Sequence, residues 1–269
     1  MKIHEYTITR EIIHVQDVKD VHIVEDNIGY IRLTEFREDS FKEFEKGMQD
    51  LKARKADSVI LDLRNNPGGL LTTAINVAEV FLPEGEAIVS TKGRQEAQNS
   101  VSKSGNKSSD FTSWPMVVLV NEGSASGSEI VAGALKDDKR AVIVGVASFG
   151  KGSVQSVIPL PDGSGLRLTT SRYYTPSGVC IHDIGIVPDV VVERIYPPEE
   201  KKGDEKSKDI DMVFDEVKVK DGQEDKNKAL TPEELKLKKK DAEDNQLQAA
   251  LSVIKGIKVF KKFSQPAGS

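Results

Sequence analysis

A serine, a lysine and a glutamine stand in two short stretches rich in small residues. NEGSASGSEI at 121–130 holds Ser126, and SFGKGSVQ at 148–155 holds Lys151 and Gln155. These types can transfer an acyl group to water: the serine attacks a carbonyl, an amine takes its proton, and a neutral amide orients the amine without charging it. Serine alone is a poor nucleophile at neutral pH and needs such a base. A lysine serves only when desolvation or a positive neighbour lowers its pKa from about 10.4. Phe149 and Val154 flank Lys151, with Gly150 and Gly152 leaving little bulk, so an apolar surround is expected.

These residues depend on the elements that carry them. VVLV at 117–120 reads as a buried parallel strand and IVAGAL at 130–135 as helix, which puts Ser126 on a strand-to-helix turn. The first N–H groups of a helix lack intrahelical partners and sit at the positive end of its dipole, so an oxyanion can be held there. The pattern recurs upstream: VILDLR at 59–64 reads as a strand, NPGG follows with Gly68 and Gly69, and LLTTAINVAEVFL at 70–82 reads as a helix with Leu71, Ile75, Ala78 and Leu82 on one side. Two facing turns of this kind can supply two converging N–H donors. Taken singly, the same residues also suit plainer roles: Ser126 a helix cap, Lys151 a solvated loop lysine, Gln155 a polar strand position, and the two glycines a sharp bend.

The histidines offer no better base. His4, His14 and His22 lie far upstream of the serine motif, and His182 falls two positions after the single cysteine, Cys180. We read Cys180 as a buried or partly buried small residue and His182 as a surface or rim residue.

Six blocks together resemble the C-terminal processing peptidases, or tail-specific proteases, of the bacterial Ser/Lys type. They are NIGYIRLTEF at 27–36, VILDLRNNPGGLL at 59–71, NEGSASGSEIVAGALKDDKRAVIVG at 121–145, SFGKGSVQ at 148–155, RYYTPSG at 172–178 and GIVPD at 185–189. The resemblance implies Ser126 as nucleophile, Lys151 as general base and Gln155 as the residue positioning the lysine. It also implies an oxyanion hole from the Gly68/Gly69 turn and from Gly127, where the family usually has alanine. Alternating strands and helices indicate an α/β protein, which the resemblance refines to a crotonase-like superhelical core of strand–strand–helix units with a small cap from the N- and C-terminal segments. VQSVIPL at 154–160 and LRLTTSRYYTP at 166–176 read as a hairpin around PDGSG, whose edge could accept an extended peptide.

The implied activity is endopeptidase cleavage near protein C-termini through an acyl-enzyme, without metal or organic cofactor. Its partners are protein or peptide substrates with accessible tails, and homo-oligomerisation is left open. Two readings from other classes stand beside it: a non-catalytic or latent peptide-binding relative or scaffold, and a crotonase-type acyl-CoA enzyme, which would leave the Ser126/Lys151/Gln155 set without purpose.

Composition agrees with a globular chain. There are 269 residues, 38% hydrophobic, with formal charge −5, which gives no support to nucleic-acid binding. No apolar run approaches the roughly 20 residues that span a bilayer. A single cysteine excludes an internal disulfide framework. Residues 1–26 resemble the segment that follows a PDZ domain in the family, and their charged, alternating character is not that of a signal peptide. A PDZ module is therefore expected to be missing from this chain, and a periplasmic or otherwise extracytoplasmic location rests on the resemblance alone. We place the peptidase core at 27–196 and a charged linker at 197–230, where EEKKGDEKSKD carries nine charges in eleven residues. A helical segment is expected at 231–269. Thr231-Pro232-Glu233-Glu234 has the form of a helix start, and Leu247, Ala250, Leu251 and Ile254 form an apolar stripe that favours packing on the parent domain.

Overall fold

A computed structural model describes residues 6, 9–11, 15–105, 109–195 and 231–264. The expected charged linker lies outside these residues. Four strands with nearly unbroken apolar sequence, β2 (Ile28–Leu33), β3 (Ser58–Asp62), β6 (Met116–Val120) and β7 (Val142–Gly145), run parallel at the centre of the molecule. β1 (Val18–Glu25) pairs antiparallel with β2 at one edge and the short β10 (Val190–Val191) parallel with β7 at the other. The order is β1-β2-β3-β6-β7-β10. The segment before residue 27, expected as cap strands, thus supplies β1 to the edge of the central sheet.

Such runs lack alternation because both faces of the sheet are covered. On one side Ile31, Leu33, Val59, Leu61, Val118, Val120 and Ile143 pack into a core with α1 (Ser40–Ala53), α2 (Leu71–Glu79) and α3 (Gly127–Asp137). On the other, Ile28, Tyr30, Ile60, Val117, Leu119 and Val144 meet Leu247, Ala250, Leu251 and Ile254. These four belong to α5 (Asn245–Ser264), so the apolar stripe read from the sequence is its buried face. α4 (Pro232–Glu243) precedes it and starts as expected, with Thr231 N–H donating to Glu234 Oε2 at 2.7 Å and Glu234 N–H to Thr231 Oγ1 at 3.3 Å. The α2 face is offset from the expectation, because Ala74, Val77 and Ala78 are buried while Leu71 and Ile75 are only half-buried.

A second, antiparallel sheet has the order β5-β4-β9-β8. It comprises β4 (Ala87–Gly93), β5 (Ser100–Lys103), β8 (Ser153–Pro159) and β9 (Gly165–Tyr174). β8 and β9 form the expected hairpin, and β8 keeps one edge free. Among the described residues no helix is long and apolar enough to cross a membrane.

Candidate active site

Every strand of the parallel group points its carboxyl end toward the same rim, where α/β proteins commonly place ligands. β3 leaves that rim through the NNPGG turn into α2, and β6 leaves it through NEGSAS into α3. Ser126 occupies the position just before α3 with φ 52° and ψ −108°, a backbone conformation few non-glycine residues adopt and a common signature of functional turns. Three bonds hold it there. Ala125 N–H donates to the Asn66 carbonyl at 3.0 Å, and the N–H groups of Glu129 and Ile130 each donate to the Ser126 carbonyl at 3.0 Å.

The two turns are in contact. A Cβ on Gly68 would lie 2.7 Å from both Gly127 N and Ser126 Cβ, and one on Gly69 would lie 2.1 Å from the Phe36 carbonyl oxygen, so both positions need glycine on spatial grounds as well as for their φ of 97° and 149°. Fully buried Asn66 joins the parts: its Nδ2 donates to the Leu33 carbonyl at 2.9 Å, while its own carbonyl accepts Ser128 Oγ at 2.9 Å. Its Oδ1 accepts the Gly68 N–H at 2.9 Å. Of the turn's two glycines it is therefore Gly69 whose N–H has no partner among the described residues, and the Gly127 N–H is likewise unpartnered.

Glu129 is the residue that sequence reasoning missed. Its carboxylate is fully buried and takes four hydrogen bonds: Ser126 N–H and Lys151 N–H at 2.8 Å on Oε2, and Ser148 Oγ and Gly150 N–H at 2.6 Å on Oε1. One side chain thus fastens the serine turn to the lysine loop. Ser148 in turn accepts the Ile186 N–H at 2.7 Å, and Phe149 N–H reaches the Ser124 carbonyl at 3.0 Å. The signal for Glu129 lay in the spacing Ser126-x-x-Glu129, the pattern in which a glutamate three residues into a helix reaches back to the N–H before it.

The surroundings of Lys151 differ from expectation. Phe149 is 68% exposed, Lys151 and Gln155 are exposed, and only Val154 packs against the core. The loop turns outward because its backbone N–H groups are drawn in by Glu129, leaving the side chains to point away. Among the described residues the Lys151 amine makes no hydrogen bond or ion pair, and no hydrogen bond joins it to Ser126. Gln155 lies on β8 opposite Thr169, beside an irregularity in the β8–β9 register at Val154/Gln155. Cys180 is half-buried and free, and His182 is half-buried with Nε2 3.6 Å from Asp183; neither is near an arrangement resembling a dyad with the other.

Behind the NNPGG turn lies a buried polar cluster. Arg64 binds Asp62 through Nη2 at 2.6 Å and Asp244 through Nη2 at 2.8 Å, with Nη1 also on Gln246 at 3.0 Å. Tyr30 donates to Asp62 at 2.6 Å, and burial together with that carboxylate pushes its phenol far above the usual range, keeping it a donor. The cluster ties the α4–α5 junction to the end of β3.

Residues 27–192 match the model of Peptidase family S41, and the chain belongs to that family. It is 49% identical over 217 residues to the carboxy-terminal-processing protease of Bartonella bacilliformis, covering 79% of this chain and 47% of that protein. To the carboxyl-terminal-processing protease of a Synechocystis species it is 46% identical over 193 residues, or 71% of this chain and 44% of the other. Among solved structures, the photosystem II D1 C-terminal processing protease superposes with a TM-score of 0.57 at 40% identity, covering 61% of this chain and 42% of that one. The chain spans about half the length of the curated relatives it matches.

Proposed function

We propose that this chain is the catalytic core of a serine endopeptidase that cleaves peptides near their C-termini through an acyl-enzyme. The observation that carries the reading is the shared carboxylate: Glu129 holds the backbone N–H of both Ser126 and Lys151 at 2.8 Å, so nucleophile and base ride on one rigid frame. In this reading Ser126 Oγ attacks the carbonyl as neutral Lys151 takes its proton. The Gly127 and Gly69 N–H groups receive the oxyanion, with Gly68 shaping the turn. Lys151 then protonates the leaving amine, and water releases the acyl group.

Substrate contributes to this scheme. β8 begins two residues after Lys151 and has a free edge, so an extended peptide can add to it as a further strand. Laid there, the peptide covers the exposed lysine and removes water that favours its charged form. Gln155, on the same strand, orients the amine. Substitutions along the free edge of β8 that leave peptide KM unchanged would count against this placement.

The core is of the crotonase-like type in this proposal, and an extracytoplasmic location follows from the same kinship. Replacing Ser126 with alanine should abolish peptide hydrolysis while the circular dichroism spectrum is retained; surviving turnover would rule out the assigned nucleophile. One observation favours a second reading, a latent peptide-binding form: the Lys151 amine is unbonded among the described residues. Peptide binding by the unaltered chain without any product over long incubation would select it.

A further inference from the structure

On the side of the sheet covered by α4 and α5, a cavity of about 660 Å³ opens at the carboxyl ends of β2 and β3. That volume lies within the range typical of ligand sites, roughly 300–1,000 Å³. Its walls include Arg32, Asn65, Arg194 and Lys236.

The carboxylates around the cavity are paired, and one guanidinium is not. The carboxylates on its wall each have a partner: Asp20 meets Lys240 at 3.0 Å, Asp241 lies 2.8 Å from the His22 ring nitrogen, and Asp62 and Asp244 share Arg64 at 2.6 and 2.8 Å. Glu243 faces Lys239 at 3.9 Å. Arg32 is different. Its Nε is shut off from water with no hydrogen-bond partner, and its guanidinium makes no ion pair among the described residues. A guanidinium stays charged at any physiological pH, and leaving an N–H such as that on Nε unpaired away from water is costly. Its planar fork matches a carboxylate.

The cavity also adjoins the catalytic rim. Arg32 precedes Leu33, whose carbonyl accepts Asn66 Nδ2 at 2.9 Å. Asn65, itself on the wall, donates its N–H to Asn121 Oδ1 at 2.7 Å and accepts Asn121 Nδ2 at 3.0 Å. Both asparagines belong to the turns that flank Ser126.

We propose that this cavity binds a carboxylate of the peptide, held by Arg32, and so places an anionic peptide end beside the NNPGG turn. The inference deepens the endopeptidase reading and rests on it. It names a carboxylate subsite within the core itself.

A binding measurement separates the two. In the Ser126→Ala chain, fluorescence anisotropy is read for three labelled peptides of one sequence: a free C-terminal carboxylate, a C-terminal amide, and an amide with glutamate at the penultimate position. The free acid should bind at least about tenfold more tightly than the plain amide, the worth of one charge-assisted pair. Recovery of affinity by the glutamate peptide would show that a side-chain carboxylate also serves as the anion. Arg32→Gln should erase the preference, and Arg32→Lys should keep part of it. Equal affinity of the unaltered site for free acid and plain amide, a comparison that needs no variant at Arg32, would overturn the proposal, as would an undiminished preference in a folded Arg32→Gln chain. Neither result depends on turnover, so loss of the subsite would leave the Ser126 reading standing.

Discussion

Glu129 accepts the backbone N–H of Lys151 at 2.8 Å from inside the first turn of the helix that Ser126 opens. Two loops 22 residues apart in the chain are thereby joined through a single side chain. The same oxygen holds the Ser126 N–H, so displacing the carboxylate should disturb both chemical groups together.

Glu129→Gln tests this directly. The amide replaces one acceptor oxygen with an NH₂ group facing donors, leaving at least one buried donor unsatisfied at a cost of about 1–3 kcal/mol. Stability to urea should fall by about that amount, and kcat should fall at least about a hundredfold, as expected when catalytic groups shift by an ångström. A folded variant with kcat within twofold of the parent would show that the carboxylate does not position the site.

Gly68→Ala should be more damaging than an alanine at an open glycine of similar φ. Gly85 has φ 90° and nothing within 4 Å of an added Cβ, whereas Gly68 at φ 97° would meet Ala125 O at 2.6 Å. Gly85→Ala should cost about 1–2 kcal/mol through backbone strain alone. Gly68→Ala should exceed that and remove activity. Equal melting temperatures for the two variants would contradict the contact between the turns.

Arg64→Met leaves Asp62 buried without its cation. Loss of one partner from such a pair costs about 3–5 kcal/mol, and the Asp244 link to the α4–α5 junction goes with it. Urea denaturation should show the loss. A change below about 1 kcal/mol would mean that the cluster contributes little to docking of the C-terminal helices.

Asp138 supplies a pH test. Burial, Glu86 and Asp137 raise its pKa to about 6, and its Oδ2 is buried without a hydrogen-bond partner among the described residues. An unfolded aspartate titrates near 3.9, so between about pH 4 and 6 the folded chain binds more protons than the unfolded one. Stability from this group must therefore fall as pH rises through that window. Asp138→Asn should raise the melting temperature at pH 7.5 and lose the advantage near pH 4. An advantage that persists unchanged at pH 4 would contradict the assignment.

Much of this arrangement is legible in local pattern. VVLV before Ser126 and IVAGAL after it place the serine on its turn, and the four-residue stripe from Leu247 to Ile254 marks the face of α5 that meets the sheet. What escapes local pattern depends on residues distant in the chain. Arg64 and Asp244 are 180 positions apart, and nothing near either predicts their pairing. The outward course of the lysine loop escaped for the same reason, because apolar Phe149 suggested burial while the donors that turn it outward answer to Glu129. The unpaired guanidinium of Arg32 is recognisable only once α4 and α5 close over β2 and β3.

The most direct test of the central claim is intact-mass and peptide-map analysis of the chain quenched in acid during turnover of an excess of peptide ester. The account predicts an adduct with the mass of the acyl fragment on Ser126, absent from Ser126→Ala and from Lys151→Ala. Turnover with the adduct on another residue, or undiminished turnover by Ser126→Ala, would contradict it.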